Sequence, residues 1–166
     1  MTHSFMKTEK ATIILNDLIK INNERVICYQ LAIERAVNLD SDLTRLFKIV
    51  IAESLDFKQQ LVNKINEHEG GPKTGVGLSG LIYRAWHDLK VILTGNTRNS
   101  IVNFCKYNEE VALHAYRAAL NLSNAMTSDI SELIERQQEL LLRSFQSIKQ
   151  LQEARPYSAH SLAYFN

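Results

Sequence analysis

The backbone breakers of this chain are gathered in one place: five of the six glycines and one of the two prolines fall within residues 70–80, GGPKTGVGLSG. Such a run stops a helix and opens an irregular connection. On either side the chain is nearly free of breakers, and its apolar residues recur with the 3.6-residue period of amphipathic helices. Residues 8–39 place Ile14, Leu15, Leu18, Ile21, Tyr29, Ala32, Ala36 and Leu39 on one side, and residues 41–68 do the same with Leu43, Leu46, Phe47, Val50, Phe57, Leu61 and Ile65. Between them, Asn38-Leu39-Asp40-Ser41 is short and rich in N-cap residues, so the second helix folds back antiparallel to the first.

Beyond the glycines a shorter helix is expected over 81–93, docking through Ile82, Trp86, Leu89 and Leu93, with the lone tryptophan as packing anchor. Gly95-Asn96-Thr97 ends it and offers a new cap; long helices follow over 97–122 and 129–153. Pro156 closes the last one, leaving an aromatic C-terminal tail, 155–166. The connection 70–96 is too long for a tight turn and long enough to run the length of a ~40 Å bundle. The second and third long helices are then parallel. The expected fold is all-α, a four-helix bundle of two antiparallel hairpins joined by one long crossover carrying an extra shorter helix, in a single domain 1–166 with its core in about 8–154.

Composition narrows the partners. The 166 residues are 45% hydrophobic, with no apolar run near the ~20 residues a membrane span needs. The 19 basic and 18 acidic residues are dispersed, so no basic face points to nucleic acid or an anionic membrane. The start, MTHSFMKTEK, lacks the apolar segment and cleavage site of an export signal, which reads as cytoplasmic. Cys28 and Cys105 lie within helical patterns without a CxxC partner and suit buried free thiols. No serine has a nucleophile-elbow context, and the glycine run lacks the lysine-serine ending of a phosphate loop, so hydrolysis has no support.

Several segments carry a family likeness: LNDLI at 15–19, Tyr29, the GGP stop, RAWHDLK at 84–90, and E-x-x-A-L-x-A-Y at 109–116. In this order they resemble a family of small bacterial ferritin-like four-helix-bundle proteins of unassigned function, over about residues 15–151. The single long crossover is also the topology of ferritin-like folds. The resemblance implies a fold and no activity. In the wider superfamily, carboxylates and E-x-x-H pairs from the four helices hold two iron or manganese ions, which makes those groups the ones to look for here.

A dinuclear carboxylate site wants an inward glutamate from two helices and an E-x-x-H from each of the other two. This chain has no E-x-x-H. Projected at ~100° per residue, Glu110, His114, Asp56, Glu135 and Glu139 fall opposite their apolar stripes, while Glu53 and Glu109 lie at stripe edges in the middle of their helices. Glu24 lies further from its stripe, although its place before Tyr29 resembles the glutamate position of ferritin-like first helices. The candidate metal set is Glu24, Glu53, Glu109 and His114, for iron or manganese. The likeness also puts Phe145 where relatives carry a histidine.

Squarely on the stripes at mid-height stand Asn22, Arg25, Ser54, Asn108, Gln137 and Ser144. Amides and hydroxyls are poor ligands for two divalent ions, and a guanidinium repels a cation. A buried arginine needs a partner, and Glu53 and Glu109 are the carboxylates within reach. Two readings follow. One is a non-enzymatic bundle without a cofactor, structural, stress-related or partner-binding, with an ion-paired polar layer at its centre. The other is a metal-binding bundle with oxidoreductase activity. Either is compatible with a homo-oligomer, and neither names a protein partner.

Overall fold

The computed structural model describes residues 2–36, 41–68 and 93–154. Four long helices dominate: α1 (Thr2–Ala36), α2 (Ser41–Glu67), α3 (Arg98–Leu120) and α4 (Ser128–Glu153), with a 3-10 turn at Ser123–Ala125. The described residues form an all-α four-helix bundle, as the hydrophobic periodicity predicts. α1 begins at Thr2, several residues before the apolar stripe starts, because no glycine or proline in its first turns opposes helix propagation. The expected shorter helix with Trp86, the glycine-rich connection, the turn at 38–40 and the aromatic tail lie outside the described residues.

α3 starts as expected. Thr97 is its N-cap, and its Oγ1 accepts the Ser100 backbone N–H at 3.1 Å. Gly95 packs beneath this cap, where a Cβ would come within 2.7 Å of the Ser100 Oγ.

Contacts between helices give their directions. Near the end of α2, Lys64 and His68 meet Asp129 at the start of α4, at 3.1 and 3.0 Å. These partners and the Thr127 hydroxyl hold the Asp129 carboxyl well below the usual carboxylate range, the Thr127 contact contributing most. Further along, Ser144 of α4 reaches Glu53 of α2, so the two helices are antiparallel. At the start of α3, Arg98 donates to the Leu151 carbonyl near the end of α4. Asn22 meets Tyr116, while Arg35 meets Asn96, so α1 and α3 are antiparallel as well. It follows that α2 and α3 run the same way. The end of α2 and the start of α3 lie beside opposite ends of α4, about 33 Å apart at 1.5 Å per residue.

The core is divided in two. One apolar cluster gathers Ile14, Leu18 and Ile21 of α1, Phe57 and Leu61 of α2, Ala112 and Ala119 of α3, and Ile130, Ile134 and Leu141 of α4. A second gathers Tyr29 and Ala32, Phe47 and Val50, Ile101 and Cys105, and Ile148. Between them lies a level of buried polar side chains. Among the described residues no helix is long and apolar enough to cross a membrane.

Phe57, 1% exposed in the first cluster, leaves a large void when truncated. Phe57→Ala is expected to lower unfolding free energy by ~3–5 kcal/mol with the helical circular dichroism retained, checked by urea titration.

Candidate functional site

The polar level is built from helix-interior residues of all four helices. Asn22, Arg25, Ser54, Asn108, Glu109, Gln137 and Ser144 are all buried, and Arg25 and Glu109 are wholly so. Each sits on its apolar stripe or at its edge, so packing the stripes together carries the polar groups inward.

Arg25 is the hub. Its Nε donates to Glu109 Oε1 at 3.1 Å and its Nη2 to Glu109 Oε2 at 3.0 Å, a side-on bidentate pair. The same Nη2 reaches Glu53 Oε1 at 3.1 Å, which joins α1, α2 and α3 through one guanidinium. Ser144 Oγ closes the circle from α4, 3.1 Å from each Glu53 oxygen. Tyr29 adds its hydroxyl, donating to Glu109 Oε1 at 2.8 Å, while its ring packs on Phe47 with centroids 5.3 Å apart.

Electrostatics follow from burial. Removal from water by itself lowers the Arg25 pKa, but the surrounding charges, Glu109 foremost, raise it overall, so the guanidinium is a permanent cation. Burial pushes the Glu109 carboxyl up, and Arg25 and the Tyr29 hydroxyl oppose it. The Tyr29 hydroxyl is pushed well up, by burial first and by Glu109 second, which keeps it a donor. Glu53 differs from Glu109 in retaining 17% exposure of its side chain.

A neutral relay lies one turn further along the bundle. Asn22 Nδ2 donates to the Leu18 carbonyl and to the Tyr116 hydroxyl, both at 2.8 Å, and Tyr116 donates to Gln137 Oε1 at 2.8 Å. Gln137 Nε2 then donates to the Phe57 carbonyl and to Gln60 Oε1. Ser54 and Asn108 are satisfied within their own helices, by the carbonyls of Val50 and Phe104. Asn108 Oδ1 also accepts the Cys28 thiol at 3.3 Å.

The four candidate ligands do not converge. Glu53 and Glu109 meet, through Arg25. Glu24 is half-buried, and among the described residues no hydrogen bond or ion pair joins it to them. His114 is exposed, as are Asp56, Glu135 and Glu139, and the Glu110 side chain is 44% exposed beside Lys106. Phe145 is partly buried against the first apolar cluster. Among the described residues no group of three His, Cys, Asp or Glu side chains could hold a metal ion. A dinuclear iron or manganese centre does not fit this donor set, since Arg25 already bridges the two inward carboxylates that meet among the described residues.

Two features escape the projection. Tyr29 reads as core, yet a buried tyrosine hydroxyl needs a partner, and that requirement points to Glu109. Asp17 is 1% exposed, and among the described residues neither of its oxygens has a hydrogen-bond partner. The signal for its burial was available, because Ile14 and Ile21, three before and four after it, are both core. Lys20 approaches it only to 3.8 Å. Burial raises the Asp17 carboxyl, with Lys20 offsetting part of the shift.

Comparisons with known proteins agree on the architecture. The family model described as "Domain of unknown function (DUF2383)" matches residues 10–122. Among solved structures, a mutant of Dps1 from Mycobacterium smegmatis superposes with a TM-score of 0.73 over 88% of this chain and 97% of that one, at 9% identity. Likeness at that identity concerns the ferritin-like fold alone. No curated protein matches the chain.

Two stability predictions follow. Arg25→Met strands Glu109 as a buried, uncompensated carboxylate and is expected to cost ~3–5 kcal/mol, while adding Glu109→Gln recovers most of the loss; denaturant titrations of the single and double variants check this. For Asp17 the folded pKa lies above the unfolded one, so stability is highest below the unfolded value and is lost as pH rises through the folded value. Asp17→Asn is therefore expected to raise the neutral-pH melting midpoint, by roughly 2–4 °C for ~1 kcal/mol, and the gain disappears when the scan is repeated near pH 3.

Proposed function

We propose that this chain, which belongs to the DUF2383 family, is a ferritin-like bundle whose centre is held by an ion-paired polar layer in place of a dinuclear metal site. It acts as a structural, stress-related or partner-binding module in the cytoplasm, alone or as a homo-oligomer, and not as an enzyme. The observation that carries this reading is the Arg25 guanidinium, within 3.1 Å of carboxylates from both α2 and α3.

Physical chemistry supports it. A metal centre needs its carboxylates free to ligate, whereas Glu109 accepts three hydrogen bonds from Arg25 and Tyr29. Arginine does not lose its proton to make room for an ion. A layer of this kind fixes which helix turns face one another, because sliding α1 or α3 by a turn leaves Arg25 and Glu109 buried without each other, and sliding α2 or α4 parts Glu53 from Arg25 or from Ser144. The dispersed charge of the sequence supports a role away from nucleic acid and membranes. In a bundle with such a centre, function resides on the outer surface.

The test is metal content. Protein produced with iron and manganese supplied and purified without chelator is expected to carry far less than one metal per chain, by inductively coupled plasma mass spectrometry, and Glu109→Ala is expected to leave that value unchanged. Stoichiometric iron or manganese that is lost in Glu109→Ala would establish the metal-binding, oxidoreductase reading instead.

A further inference from the structure

Neither Cys28 nor Cys105 is in a disulfide, and the register of α1 against α3 brings them to one level. Arg25 opposite Glu109 and Cys28 opposite Asn108 fix that register. Cys105 lies three residues before Asn108, one turn along the same face of α3. Because the two helices are antiparallel, the partner of that turn is the stretch of α1 that begins at Cys28. The packing agrees: Cys105, 1% exposed, belongs to the second apolar cluster, and Cys28 rests against that cluster from its partly exposed edge. Burial chiefly, then Glu109, then Cys28 push the Cys105 thiol up.

We propose that Cys28 and Cys105 are a redox pair that closes into a disulfide between α1 and α3 when the protein meets hydrogen peroxide. Cys28, the less buried of the two residues, attacks one peroxide oxygen: an S–O bond forms, the O–O bond breaks, and the departing hydroxide leaves as water with the Cys28 proton. Cys105 then attacks the sulfur of the Cys28 sulfenic acid. The S–S bond forms, the S–O bond breaks, and hydroxide leaves as a second water with the Cys105 proton. Each sulfur gives up one electron and the peroxide takes two. Because burial pushes the Cys105 thiol up, the second step quickens as pH rises. The bond ties α1 to α3 next to the Arg25/Glu109 pair and closes a long loop, which stabilises the oxidised protein.

The experiment treats the full chain with hydrogen peroxide, blocks remaining thiols with N-ethylmaleimide under denaturing conditions, and maps peptides by mass spectrometry without reductant. The expected product is monomeric, lighter by two hydrogens, unlabelled by maleimide, and contains a peptide joining Cys28 to Cys105 that dithiothreitol separates. Its melting midpoint exceeds that of the reduced protein. Cys105→Ser is expected to trap a sulfenic acid on Cys28 that a dimedone probe captures, and Cys28→Ser to leave Cys105 open to maleimide. Cys28 carrying two or three added oxygens while Cys105 still takes up maleimide would overturn the proposal. So would dimers linked through Cys28, or two thiols that both survive peroxide.

Discussion

Everything at the centre of this bundle depends on one arginine. Arg25 is wholly buried and permanently charged, so the fold exists only if anionic oxygen is delivered to it from neighbouring helices. Glu109 supplies that oxygen from α3 with no exposure, Glu53 supplies it from α2 with a little, and Ser144 and Tyr29 hold the two carboxylates in place. Four helices are thereby locked at one height. The apolar clusters above and below contribute most of the burial but fix register weakly, since leucine and isoleucine tolerate sliding better than an ion pair does. Burial supplies the stability and the polar level specifies the arrangement.

The same layer separates scaffold from chemistry. A ferritin-like backbone is shared with a Dps1 structure at 9% identity, so the architecture persists where nearly every side chain has changed. Fold alone therefore says little about what the centre does. Where a dinuclear site would need four or more anionic or imidazole ligands around two cations, the described residues bring Glu53 and Glu109 together around a cation of the chain's own, Arg25. Its one helix-borne candidate histidine, His114, is on the surface.

Much of this was legible in the sequence, for a physical reason. Helical periodicity is strong in long segments without breakers, so the four long helices could be read from spacing. The interior placement of Asn22, Arg25, Ser54, Asn108 and Gln137 followed from projecting each helix, and the need of a buried arginine for a partner led to Glu53 and Glu109. What escaped was pairing that depends on the rotation of one helix against another. Tyr29 lies on its stripe whether or not its hydroxyl finds Glu109, and Tyr116 gives no sign in sequence that it links Asn22 to Gln137. Asp17 was masked by its chemistry, because an aspartate is ordinarily solvated, although its spacing to Ile14 and Ile21 puts it on the buried side.

The most direct measurement of the central claim is anomalous diffraction at the iron and manganese edges from crystals grown with both metals. The account predicts guanidinium density between Glu53 and Glu109 and no anomalous peak within bonding distance of either carboxylate. A peak bridging the two carboxylates, with the Arg25 side chain turned away, would contradict it.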